Sequence, residues 1–112
     1  FLCHAAEENA MIWLLALSEG MDSGGHEVVD CEGGFYLTYT YWDGDEETNY
    51  RLYVEALAYI EDSGVFALDI RPGHYPMGHI ITPPEVISVW GRAQMETFIP
   101  IKLKEGAAPC QA

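Results

Sequence analysis

Glu96 has the most direct claim on chemistry in this chain. It opens the run Glu96-Thr97-Phe98-Ile99-Pro100-Ile101, next to an aromatic ring and strand-forming residues. A carboxyl group held beside Phe98 could act as an acid, a base or the counter-charge of a bound cation. The plainer alternative is an exposed strand-end carboxylate, because Glu is seldom buried without a partner. A second set is made of rings. Trp13, Tyr36, Tyr39, Tyr41, Trp42 and Phe98 could line an apolar pocket, with Glu96 supplying charge. Ring faces beside a carboxylate suit a planar cation, although the same rings could equally fill a core or a subunit contact. His74, His79 and Cys31 do not have a zinc-site spacing. Asp43-Gly44-Asp45-Glu46-Glu47 lacks the length and closing Glu of a calcium loop, and reads as a turn that caps a helix. No metal and no cofactor is expected.

The overall charge narrows the partners. Eighteen acidic residues against five basic ones give a formal net charge of −13. Such a surface repels a phosphate backbone and an anionic bilayer, so neither nucleic acid nor membrane is an expected partner. A cationic small molecule or a basic protein segment would be attracted. The three cysteines are an odd number without a Cys-x-x-Cys, which suits free thiols in a cytoplasmic protein. At 112 residues the chain reads as one domain, or part of one.

The elements that must position these residues centre on Gly33 to Gly64. Phe35–Trp42 is aromatic and β-branched, and reads as a strand. Phe35, Leu37, Tyr39 and Tyr41 share one face, and Tyr36, Thr38, Thr40 and Trp42 share the other. Both faces carry large rings, so one face should pack on a helix and the other should meet something else. That helix is expected from about Glu46 to Asp62. Its Tyr53, Ala56, Leu57 and Ile60 form an apolar stripe, Tyr50 and Tyr59 flank it, and Ser63-Gly64 ends it. Before this unit, Glu27–Cys31 reads as a strand. Residues 10–18 stay open between a helix, from their composition, and a buried strand, from their continuous apolar run. After it, Val65–Ile70 alternates weakly and Met77–Thr82 is a short strand. Glu85–Gly91 is a loop or one turn, Glu96–Leu103 is the last strand, and 104–112 is a solvated tail. Pro100 cannot donate to a ladder, which predicts an edge or a bulge there.

In this order, Gly34-Phe35-Tyr36 and Glu96-Thr97-Phe98-Ile99-Pro100-Ile101 make residues 27–103 resemble one repeat of a GyrI-like (gyrase-inhibitor-like) effector-binding domain, as found in MerR-type and AraC-type regulators. The resemblance implies an α+β fold: an antiparallel sheet with one main helix on one face, in a strand–helix–strand–strand repeat. Residues 1–26 would be an N-terminal segment, a helix or the closing strand of a preceding repeat. The resemblance also implies a groove between two repeats that binds a hydrophobic small molecule. The second half would come from further sequence or from a homodimer. Gly78 stands where drug-sensing relatives place an acid, which leaves Glu96 as the nearest substitute. A binding and sensing role is expected; as alternatives, the resemblance implies a hydrolase that pairs Glu96 with Tyr36 or Tyr39, and the exposed rings imply a protein-interaction module.

Overall fold

In the computed structural model, which describes residues 1–106, the strands and helices run β1 (Leu2–Ala5), β2 (Ala10–Trp13), β3 (Phe35–Trp42), α1 (Glu46–Asp62), β4 (Phe66–Leu68), β5 (Met77–Ile80), α2 (Pro84–Trp90) and β6 (Gln94–Leu103). Every strand pair is antiparallel. One sheet runs in the order β2-β1-β5-β6-β3, with β4 also beside β6. The fold is therefore α+β, an antiparallel sheet with one main helix on one face.

β3 and α1 form where their residues predict, and the acidic turn between them shows why. The Asp45 carboxylate accepts the Thr48 N–H at 3.2 Å and the Thr48 hydroxyl at 2.7 Å. That satisfies a donor which the first helical turn would otherwise leave orphaned. The same hydrogen bonds hold the Asp45 carboxyl below its ordinary range. From α1, Ala56 and Ile60 pack on Ile99 and Ile101 of β6, and Leu37, Tyr39 and Phe66 close around them. Residues opposite each other in the ladder share a face. Leu37, Tyr39 and Tyr41 thus lie with Ile99, Thr97 and Met95 on the helix side. Tyr36, Thr38, Thr40 and Trp42 lie with Pro100, Phe98, Glu96 and Gln94 on the other.

Pro100 is not at a sheet edge, because β6 is an interior strand. β3 runs along one side of it, while the other side changes partner from β5, ending at Phe98, to β4, starting at Ile101. The Pro100 carbonyl accepts the Asp69 N–H at 3.0 Å. In an antiparallel ladder the N and C=O of one residue point the same way. The missing N–H of Pro100 therefore falls in the seam between β5 and β4, where no donor is required.

Three other expectations change. Residues 10–18 divide: Ala10–Trp13 is the strand β2, and Leu14–Ser18 has no regular structure. β2 is turned back from β1 by a single helical turn at Ala6–Glu8 and by Asn9 at φ 51°. The short amide side chain of Asn tolerates that left-handed conformation. Glu27–Cys31 is not a strand; no sheet edge receives it, and Val28 and Val29 are exposed. Its neighbours Glu32 and Gly33 are instead held by Arg71, whose Nη1 donates to the Glu32 carboxylate at 2.8 Å and Nη2 to the Gly33 carbonyl at 3.1 Å. Residues 84–90 form α2 rather than one turn. Pro84 suits its first turn, and Gly91 at φ 73° closes it with an N–H to the Ile87 carbonyl. The expected tail at 104–112 lies outside the described residues beyond Gly106.

Candidate functional site

Residues Glu46, Asn49, Tyr50 and Tyr53 stand at i, i+3, i+4 and i+7, one stripe along the first two turns of α1. With Tyr39 of β3 and Thr97 of β6 they line a recess of about 250 Å³ on the helix side of the sheet. Its polar groups are ordered in a chain. The Tyr39 hydroxyl donates to Asn49 Oδ1 at 2.7 Å, and Asn49 Nδ2 donates to Glu46 Oε2 at 3.4 Å. The Tyr41 ring lies 6.1 Å from that of Tyr39. Burial pushes the phenols of Tyr39 and Tyr41 above their ordinary range, so both are neutral donors at neutral pH. Glu46 is the one carboxyl group on the lining, and no basic residue lines it. Tyrosine faces around a carboxylate can hold an ammonium or other organic cation.

The opposite face carries a second ring cluster. Tyr36 and Phe98 meet edge to face at 5.6 Å, Phe98 lies 5.3 Å from His79, and His79 stacks on Phe1 at 4.5 Å. Tyr36 also meets His74 at 4.7 Å. His74 is fully buried and is the centre of a clasp. Its Nδ1 lies 2.8 Å from the Asp69 carbonyl and 3.1 Å from the Asp69 carboxylate, and its Nε2 lies 3.0 Å from the Phe35 carbonyl. Arg71 Nε donates to the same carboxylate at 3.1 Å. Burial alone would raise the Asp69 pKa, but the hydrogen bond and charge of Arg71, and then His74, outweigh it and hold the carboxyl below its usual range. With both nitrogens facing oxygens, His74 joins the 69–74 loop to the start of β3. It is not placed as a metal ligand, and no metal-ligating cluster of His, Cys, Asp and Glu exists among the described residues.

The seven residues singled out from the sequence thus fall in several places. Tyr39 and Tyr41 stand at the helix-side recess. Tyr36 and Phe98 join the opposite ring cluster. Glu96 lies on that opposite face, across from Thr40 and His79, and is half-buried. Trp42 meets Trp90 edge to face at 6.0 Å and carries the Arg92 guanidinium 3.6 Å above its ring, at the far end of β3. Trp13 is 73% exposed on β2 at the other edge of the sheet. Glu96 and Tyr39 occupy opposite faces. Glu96 and Tyr36 share a face but stand about 13 Å apart along β3, at roughly 3.4 Å per residue. Neither Glu/Tyr pair is assembled.

Glu46, Asn49, Tyr53 and Thr97 are recess residues that ring-counting on β3 misses. The signal for the three on α1 is the i, i+3, i+4, i+7 spacing that starts at Glu46; nothing in the sequence marks Thr97. A larger recess, of about 440 Å³, lies between 29–32 and the 71–75 loop, and only Tyr75 contributes a ring to it. No family model, curated protein or solved structure matches the chain. No helix among the described residues is long and apolar enough to cross a membrane.

Proposed function

We propose that the protein is a small-molecule binding and sensing domain of the GyrI-like kind, and that the recess between α1 and β3 takes a hydrophobic cation. The observation that carries this reading is the grouping of Tyr39, Tyr50 and Tyr53 around Glu46 in one opening. At about 250 Å³ the space lies below the roughly 300–1,000 Å³ usual for sites that enclose a drug-sized ligand. It therefore suits an aromatic ammonium head group, with any larger body left outside. On the same sheet face, α1 covers only β3, β6 and β4. Met11, Trp13 and Ile80 remain exposed there. A second copy packed on that uncovered half makes the homodimer in this reading and extends the recess into a groove.

Calorimetric titration with benzyltrimethylammonium tests the recess. Saturable binding is expected, weakened about tenfold by Glu46→Gln and by Tyr53→Ala. Unchanged affinity in both variants, or no saturable heat with the unaltered protein, would refute the reading.

A further inference from the structure

β3 leaves one whole side of its backbone without a partner among the described residues, and its register with β6 says which side. The Asp43 N–H donates to the Ala93 carbonyl at 2.9 Å. Odd positions from Asp43 back to Phe35 therefore carry the bonds to β6, and even positions point away. Pro100, opposite Tyr36 and turned toward Asp69, gives the same parity from the other strand. Tyr36, Thr38 and Thr40 thus present both N–H and C=O along the open edge. Trp42 presents its N–H alone, because the Asp45 N–H takes its carbonyl at 3.0 Å.

Proteins commonly block such an edge with lysine, proline, a bulge or a short strand. None of these devices is present. Phe35–Trp42 is 8 residues long, uncharged, free of proline and unbroken in register. The edge is therefore open to an added strand, and two occupants compete for it. A second copy related by a two-fold axis through Thr38 would use the groups of Tyr36, Thr38 and Thr40. In such a pair the uncharged β3 brings no basic residue to answer the Asp43–Glu47 acids of the other copy, which a basic segment does. Asp43, Asp45 and Glu47 stand at one end of the edge, where Arg92 lies on the Trp42 ring and Arg51 is paired with Glu55, so a basic segment is favoured there.

We propose that the open edge of β3 takes an extended peptide of a protein partner as an added strand, with an uncharged centre and with Arg or Lys at the end beside Asp43, Asp45 and Glu47. Main-chain hydrogen bonds supply the attachment and charge sets the direction. This site is separate from the recess, since it uses the outward backbone of β3 and not the tyrosines of α1.

Fluorescence anisotropy tests it with a labelled peptide of alternating Val and Thr that ends in a run of Arg. Saturable binding is expected, about tenfold or more tighter than that of the same peptide ending in Glu. The Arg peptide with a fully N-methylated backbone keeps the charge but loses the donors, and is expected not to bind. Thr38→Pro removes an outward N–H that β6 does not use, and is expected to weaken binding about tenfold while circular dichroism stays unchanged. Asp43→Asn with Glu47→Gln should abolish the preference for Arg over Glu. Equal binding of the N-methylated or the Glu peptide would overturn the proposal. So would no saturation up to about 1 mM, or a dimer in sedimentation that Thr38→Pro dissolves.

Discussion

Gly34→Ala isolates the contact on which the His74 clasp depends. Gly34 has φ +150°, and a Cβ built there lies 2.9 Å from His74 Nε2 and 3.0 Å from its Cε1. The imidazole has nowhere to retreat. It is fully buried, its Nδ1 is 2.8 Å from the Asp69 carbonyl, and the Tyr36 ring stands 4.7 Å away. Two costs follow. A non-glycine residue in that backbone region costs about 1–3 kcal/mol. Pushing the ring off the Phe35 carbonyl leaves buried polar groups unpaired, for roughly 1–3 kcal/mol more. The sum, about 4 kcal/mol, is a large share of the ~5–15 kcal/mol that stabilises a typical domain. With a urea slope of about 2 kcal/mol per M, the unfolding midpoint should fall by about 2 M. Gly33→Ala is the control. Its φ is +69°, but its Cβ would meet nothing within 4 Å, so only the left-handed backbone cost of about 1–2 kcal/mol applies. In the double variant Gly34→Ala/His74→Ala the two losses should be less than additive, because the second substitution removes the clash. If Gly34→Ala costs no more than Gly33→Ala, the close approach to His74 does not constrain the fold and the reasoning fails.

Two further expectations concern protons. The Asp69 carboxyl is held low in the folded state, so its contribution is present above the ordinary carboxylate value of about 4 and is lost as pH falls through the folded-state value. Urea midpoints measured against pH should therefore drop less steeply in acid for Asp69→Asn, from a lower starting stability; an unchanged acid limb would refute this. The Tyr39 phenol is held high, mainly by burial, so its contribution is present below the ordinary phenol value of about 10 and is lost as pH rises through the folded-state value. Absorbance of the phenolate should show one fewer late-titrating group in Tyr39→Phe, and a titration identical to that of the unaltered protein would rule it out.

The fold was legible wherever local chemistry and tertiary context agree. Phe35–Trp42 and Glu46–Asp62 form with the predicted limits because β-branched and aromatic residues, an Asp cap and an apolar helical stripe all point the same way. Glu27–Cys31 has the residues of a strand but pairs with none of the strands, and pairing is not written in propensity. Leu2–Ala5 shows the reverse: its four residues carry no strong signal, yet β5 and β2 enclose it. Little of the candidate site was legible. Of the rings singled out on β3 only Tyr39 lines the recess, because alternation sends them to opposite faces and a set chosen by ring type could not converge on one pocket. His74 was visible as a polar residue in a loop of Pro and Gly. Its partners, Asp69 and the Phe35 carbonyl, are brought to it by the chain path and not by spacing.

The seam at Pro100 has a consequence for how the molecule must assemble. Among the described residues β3 and β4 find strand partners only in β6, so the ground beneath α1 is incomplete until Gln94–Leu103 arrives, roughly sixty positions after β3 and about thirty-five after β4. A fragment ending before Gln94 would keep β1, β2 and β5 able to join one another, yet leave the tyrosine-rich strand with neither flank covered. Cooperative closure by one late segment makes the helix and the tyrosine ribbon it shelters stand or fall together.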